Sequence, residues 1–319
     1  MTPYGLPSEL YHCLLDEQPY YLAPPWLMQN EELLGTVVVN PSCWFSWDGP
    51  LPPDMAARID FSDNFYSTVR MVWVEDPGTL AIWPFWVGDE YFEYLSRMTP
   101  GSVFEDDLPA HLRWVLSEAH ILVRANYLGQ RRREWRNRSL AYARDFEKGY
   151  VAVPDLIHPF HVGALRRYYR CRTRQGCYLF GDEQVRRRFA AHDEEIARFI
   201  HAQLTHAISD IAGAALKPSY SYFVSYLSGA ELEEHVDREQ CDYSISACID
   251  ASPEPHAESP WPIKVGSGDE KVEIYQRLGD ALIYRGCQVS HSRDRLPGGF
   301  TSTALLLHYV DESFTGTLY

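Results

Sequence analysis

Three side chains in the second half of the sequence have the types and the spacing to hold a metal ion. His235 and Asp237 stand two residues apart in Tyr226-Leu-Ser-Gly229-Ala-Glu-Leu232-Glu-Glu-His235-Val-Asp237. On a β-strand, residues two apart point to the same face, so one imidazole and one carboxylate can reach the same ion. His291 follows 56 residues after His235, at the end of Gly279-Asp280-Ala281-Leu282-Ile283-Tyr284-Arg285-Gly286-Cys287-Gln288-Val289-Ser290-His291. Two imidazoles and one carboxylate on one face of an ion are the donor set of non-haem iron(II) sites, and they leave three positions open. A 2-oxo acid can chelate through two of those positions, and O2 can take the third.

Those ligands need strands to present them. After Gly213 the sequence runs in short stretches rich in Val, Ile, Tyr and Thr, separated by Gly, Pro and Asp. The expected strands are Tyr220–Leu227, Leu232–Asp237, Tyr243–Ile249, Ile263–Val265, Lys271–Gln276, Ala281–Tyr284, Cys287–His291 and Thr301–Val310. Strands this short and numerous, with no helix between them, predict a double-layer jelly roll over 220–310. Upstream, apolar residues at Val185, Phe189, Ile196, Phe199, Ile200, Leu204, Ala207, Ile208 and Ile211 predict a helical region from Asp182 to Ile211. Asp182 suits its N-cap, Asp193 could cap a second segment, and Gly213 is a stop signal. His192, His201 and His206 lie in this region; no two are four apart, so they read as structural or surface residues.

The first 150 residues are acidic and rich in Trp, Tyr and Pro. Residues 1–110 hold 17 Asp and Glu against only Arg58, Arg70 and Arg97, which is nearly all of the net charge of -15. Such a surface opposes binding to nucleic acid or anionic membranes. Strand-like runs are expected at Thr36–Val39, Thr68–Val74 and Leu80–Trp83, and helix-like patches at Asp89–Met98 and Leu108–Leu128. The run Arg131-Arg132-Arg133-Glu134-Trp135-Arg136-Asn137-Arg138 reads as a solvated helix face paired with nearby acids. The seven cysteines form no CxxC pair, so neither a disulfide framework nor a zinc ribbon is expected. With no long apolar run and no basic leader at the N-terminus, the expected location is cytoplasmic.

Residues 220–310 resemble the double-stranded β-helix core of the 2-oxoglutarate/Fe(II)-dependent dioxygenase superfamily, in particular its prolyl-4-hydroxylase-like branch. The likeness rests on the Tyr-x2-Gly-x2-Leu-x2-His-x-Asp phrase, on the Gly-Asp turn and strand before His291, and on the strand pattern around both. It implies an α+β chain: a jelly-roll oxygenase domain over 151–319 with supporting helices, and an N-terminal α/β extension over 1–150 that could recognise a substrate or partner. It also implies Fe(II) held by His235, Asp237 and His291, with 2-oxoglutarate and O2 as co-substrates. The expected reaction is hydroxylation of an unactivated C–H bond in an amino acid, peptide or other small metabolite, with release of succinate and CO2. Family members commonly bind the co-substrate carboxylate with an arginine about ten residues past the distal histidine. Thr301 stands there in this sequence. The nearest cations that could serve are Arg295, the first choice, then Arg293, with Arg285 and Lys264 further off; a guanidinium fork suits a carboxylate best. Thr301 and Thr303 could add hydroxyl hydrogen bonds, and Tyr226 matches the family tyrosine often found near that carboxylate. Related halogenases carry Gly or Ala at the position of Asp237, so its carboxylate favours hydroxylation or another oxidation.

Other features carry less. His256 falls in a Pro-rich loop, His308 reads as a core residue, and Gly266-Ser-Gly268-Asp reads as a hairpin rather than a phosphate loop. The competing functions are a cupin-like oxygenase or isomerase that does not use 2-oxoglutarate, and a jelly-roll module that only binds a partner.

Overall fold

The computed structural model describes residues 35–47, 52–59, 70–104, 108–255, 258–266, 268 and 271–318; His256 and part of the Gly266–Asp269 hairpin lie outside them. Two compact units divide the chain, Met1–Arg138 and Ser139–Tyr319.

In the first unit, β1 (Val37–Val39) pairs antiparallel with β5 (Leu122–Arg124). A second antiparallel sheet joins β2 (Cys43–Phe45), β3 (Met71–Glu75) and β4 (Ile82–Trp86). The helices are α1 (Pro53–Ile59), α2 (Asp89–Leu95), α3 (Ala110–Glu118) and α4 (Tyr127–Phe146), the last crossing the division. The expected single helix Leu108–Leu128 is instead α3, a turn and β5. The chain breaks at His120, whose φ of 55° cannot continue a right-handed helix, and the aliphatic Leu122 and Val123 then pair with β1. On α4, Arg132, Arg133 and Arg136 are exposed, but Arg131 turns inward and grips Asp76, with Nη2 2.7 Å from Oδ2. Burial alone would raise the Asp76 pKa; the Arg131 guanidinium brings it below its ordinary value.

The second unit holds two sheets. The large one has the order β6 (Tyr150–Val153), β14 (Ala281–Arg285), β11 (Tyr243–Ser252), β16 (Thr301–Asp311), β9 (Leu216–Leu227), β8 (Arg188–His192), β7 (Leu179–Phe180). The small one has the order β10 (Leu232–His235), β15 (His291–Arg293), β12 (Ile263–Val265), β13 (Val272–Ile274). Every pairing is antiparallel, an arrangement consistent with a jelly roll. The eight expected strands of 220–310 all have counterparts, with one displacement. Cys287–Ser290 is a turn, because the amides of Gln288 and Val289 bond back to the Arg285 carbonyl; the strand begins at His291 instead of ending there. Arg293 thereby joins the ligand strand.

The helix expected from Asp182 begins only at Glu195. Residues 188–192 are β8, paired with Tyr222–Tyr226 of β9; Val185 and Phe189 fit a helical period, but the sheet edge takes this segment. Helix α6 (Glu195–Ala212) is capped by the Glu194 carboxylate, which accepts from the amides of Ile196 and Ala197. Its buried stripe packs on β9 and β16, and it ends at Gly213, at φ 65°. Helix α5 (Pro159–Arg174) is tied to β11 by Arg166 and Arg170, which both grip the buried Asp250.

Candidate metal centre

His235 closes β10, and its Cα partner across the antiparallel ladder is His291, the first residue of β15. Asp237 follows two residues after His235, and its amide donates to the Gly286 carbonyl at 2.8 Å. The three side chains meet. The Nε2 atoms of His235 and His291 each lie 3.7 Å from Asp237 Oδ1, and one ligand atom from each residue falls within 4.8 Å of the others. Cis donors at about 2.1 Å from an ion sit about 3 Å apart, so small side-chain movements would close the set on a metal.

The imidazoles are turned the same way. His235 Nδ1 lies 2.8 Å from the Glu233 carbonyl and His291 Nδ1 lies 3.2 Å from the Val289 carbonyl. A carbonyl only accepts, so each Nδ1 carries the proton and each Nε2 keeps its lone pair for a metal. Burial lowers the His291 pKa, against the opposing pull of Asp237, which favours the neutral, ligating form. These lone pairs now accept from Gln184 Nε2 (3.1 Å, to His235) and from the Tyr284 hydroxyl (3.3 Å, to His291). Burial pushes the Tyr284 phenol well above its ordinary value, so it stays a donor. Asp237 is held from its other oxygen: Ser244 Oγ donates to Oδ2 at 2.7 Å. The donors present, two neutral imidazole nitrogens and one carboxylate oxygen facing a common point, fit a divalent transition metal.

The triad opens on a cavity of about 550 Å³ between the two sheets. Tyr284, Leu306 and His308 of the large sheet face Ile263 and Arg293 of the small one across it. Arg293 lies two residues beyond His291 on β15, so it shares the ligand's face. It is buried, its Nη1 donates to the Trp261 carbonyl at 2.6 Å, and its guanidinium carbon lies 4.5 Å from the Trp261 ring centre. Among the described residues no carboxylate forms an ion pair with it, and burial pulls its pKa below the usual arginine value.

Of the other expected co-substrate residues, Tyr226 lies beside the site and the rest lie elsewhere. Arg295, the first choice, is exposed and does not line the cavity. Thr301 and Thr303 are odd-numbered on β16, whereas Leu306 and His308 face the cavity. Strand alternation therefore turns both threonines to the opposite face, where Thr303 Oγ1 donates to Ser225 Oγ. Tyr226 is buried beside the site, its hydroxyl accepting from Arg188 at 3.3 Å and its ring edge-on to Trp261. Lys264 bonds to Asp294 and Glu273, and Arg285 Nη1 donates to the Tyr243 hydroxyl.

Sequence reasoning missed Gln184, Arg188, Ser244 and Tyr284, and it read His308 only as core. Tyr284 and Ser244 are cross-strand partners, as are Ser244 and His308; only register reveals that, and no local motif carries it. His192, read as structural or surface, lines the cavity mouth and stacks on Tyr220 at 4.9 Å, whereas His201 is buried and structural.

No protein-family model matches the chain, and a search of curated proteins finds no match. Solved structures do resemble it. A prolyl-4-hydroxylase from Pseudomonas putida matches at 17% identity and a TM-score of 0.45, over 55% of this chain and 100% of that one. A prolyl hydroxylase from Trichoplax adhaerens, solved with a hypoxia-inducible-factor degradation-domain peptide, matches at 11% identity and 0.46, over 56% and 90%. The α-ketoglutarate-dependent epimerase of nogalamycin biosynthesis matches at 12% and 0.46, over 55% and 83%. The structures that the chain resembles are 2-oxoglutarate/Fe(II) oxygenases, prolyl-4-hydroxylases among them.

Proposed function

We propose that Ser139–Tyr319 is a non-haem Fe(II)- and 2-oxoglutarate-dependent oxygenase that hydroxylates an unactivated C–H bond of an amino acid, peptide or other small metabolite. The observation that carries this reading is the convergence of two lone-pair-bearing imidazole nitrogens on one oxygen of Asp237, each 3.7 Å away. His235, His291 and Asp237 would hold the iron. When bound, it supplies O2 activation coupled to oxidative decarboxylation of 2-oxoglutarate to succinate and CO2.

The protein's own part is orientation. The backbone carbonyls of Glu233 and Val289 fix the two imidazoles, and Ser244 fixes the carboxylate. Arg293 supports 2-oxoglutarate as the co-substrate. A buried guanidinium is unfavourable unless an anion completes it; this one has no carboxylate partner among the described residues and faces the triad's cavity. The far carboxylate of a chelating dicarboxylate would complete it with charge-assisted hydrogen bonds. The walls of the cavity, Ile263, Leu306 and Tyr284, would exclude water around the reacting group.

The test is an anaerobic titration with Fe(II) and then 2-oxoglutarate, followed by visible absorbance. A weak charge-transfer band in the green that His235→Ala abolishes supports the reading. Iron binding without that band would remove 2-oxoglutarate and leave a cupin-like oxygenase or isomerase. Absence of iron binding would remove the enzyme reading altogether.

A further inference from the structure

Ser244 sits at the centre of a polar row that crosses the large sheet beneath the metal site. Its register partner on β14 is Tyr284, and its partner on β16 is His308. All three are buried. Ser244 Oγ lies 2.7 Å from Asp237 Oδ2, 2.9 Å from His308 Nδ1 and 3.3 Å from the Cys241 carbonyl. A hydroxyl has one proton to give. The shortest contact is to the ionised carboxylate, where a charge-assisted bond is strongest, so the proton goes to Oδ2. The bond to His308 must then run the other way, from Nδ1–H to Oγ. The result is a directed chain from His308 through Ser244 to Asp237, anchored in ladder positions rather than in loops.

This chain divides the labour of the carboxylate. Oδ1 faces both imidazole Nε2 atoms, while Oδ2 is engaged by Ser244. A carboxylate with both oxygens free can bind an ion through both, and that would consume one of the three positions the triad leaves open.

Resting on the metal assignment above, we propose that Ser244 and His308 are positioning residues that hold Asp237 as a one-oxygen ligand and so preserve room for a chelating 2-oxo acid together with O2. Both act through Asp237.

The test uses the full chain and the variants Ser244→Ala, Ser244→Thr, His308→Asn and His308→Leu. Each is titrated anaerobically with Fe(II), then with 2-oxoglutarate at saturating iron, and each metal-free protein is checked by thermal unfolding. Loss of a group that orients a ligand typically weakens metal binding about 10- to 100-fold. Ser244→Ala is expected to fall in that range and to give a weaker green band at saturating iron, while Ser244→Thr, which keeps the hydroxyl, restores both. His308→Asn keeps a donor near the Nδ1 position and should stay close to wild type, whereas His308→Leu should follow Ser244→Ala. That pair decides the matter if Ser244→Ala does not fold.

A folded Ser244→Ala with wild-type iron affinity and an undiminished band overturns the proposal, as does a folded Ser244→Thr no better than the alanine. If the wild type binds no more iron than His235→Ala, the metal assignment fails first, and the proposal falls with it.

Discussion

Gly286 closes against Asp237: a β-carbon on Gly286 would run first into the Cys241 carbonyl and would also stand 2.6 Å from Asp237 Oδ2 and 2.6 Å from Ser244 Oγ. The same two residues are joined through their backbones, the Asp237 amide donating to the Gly286 carbonyl at 2.8 Å. The turn that follows β14 therefore forms one wall of the ligand's seat. Gly286→Ala is expected to push the carboxylate out of line with the imidazoles. Fe(II) affinity should fall at least about tenfold, and overpacking should cost about 1–3 kcal/mol of stability. Iron titration and urea unfolding check the two effects separately.

Arg293→Leu separates metal binding from co-substrate binding. Losing a charge-assisted contact worth about 1.5–3 kcal/mol should weaken 2-oxoglutarate roughly 10- to 100-fold, with Fe(II) affinity unchanged. The metal-free protein should not lose stability, since the substitution removes a buried charge that no carboxylate of the described residues compensates. Arg295→Ala, at an exposed position, is expected to leave 2-oxoglutarate affinity near wild type. Titration of both variants by the green band decides between the two arginines.

Acid should destabilise the second unit through its buried histidines. Burial depresses His201 to about 3 and His308 to about 4, from an ordinary 6.5. Both are neutral when folded, while the unfolded chain takes up protons below pH 6.5. Their contribution to stability is therefore full above pH 6.5 and is lost as pH falls from there toward 4 and then 3. Each contributes a slope of about 1.4 kcal/mol per pH unit within its window. His201 Nε2 donates to the His308 carbonyl at 2.8 Å, and glutamine can keep that bond without titrating. His201→Gln should make the stability–pH curve shallower in this range, as read by urea midpoints from pH 7 to 4.

Asp250→Ala tests the clamp between α5 and β11. Arg166 Nε and Arg170 Nη2 lie 2.9 and 2.7 Å from Asp250 Oδ1, and the Arg166 side chain is only 4% exposed. Removing Asp250 leaves the buried Arg166 with the half-exposed Glu254 carboxylate, 2.9 Å from Nη2, so the cost should be about 3 kcal/mol, the low end for breaking a buried ion pair. Thermal and urea unfolding should show a loss of that order, and Arg170→Ala a smaller one, because its side chain is 43% exposed.

The strands and the meeting of His235, Asp237 and His291 were legible in the sequence for the same reason. Period-two alternation is written locally, and His235 and Asp237 are two positions apart on it. The expected strand Ile263–Val265 is β12 as found. What stayed hidden depends on pairing across the sheets. The Ser244–His308 bond joins residues 64 positions apart, and which face of β16 meets the cavity follows from the ladder. Thr301 and Thr303 were expected at the co-substrate for want of that register. The placement of Arg293 on the cavity wall and of Arg295 outside it was hidden for a related reason: a turn at Cys287–Ser290 moved the start of the strand to His291, which places Arg293 on the same face as His291. At Asp182–His192 a helical period met a sheet edge with unpaired backbone groups, and the sheet prevailed.

His235 and His291 face each other across two antiparallel strands, and β10, at the edge of the small sheet, is only four residues long, with Glu233 and Glu234 exposed. An ion shared by the two histidines would act as a covalent-like staple, closing the 55-residue stretch of chain between them. Loop closure of this kind removes disorder from the unstapled state, so metal loading and the ordering of β10 become one event. The amides of Glu233, Glu234 and His235 should then exchange with deuterium far more slowly once iron is bound, while those in the middle of β11 and β16 hardly change. The order of this sheet edge would then report whether the metal is bound.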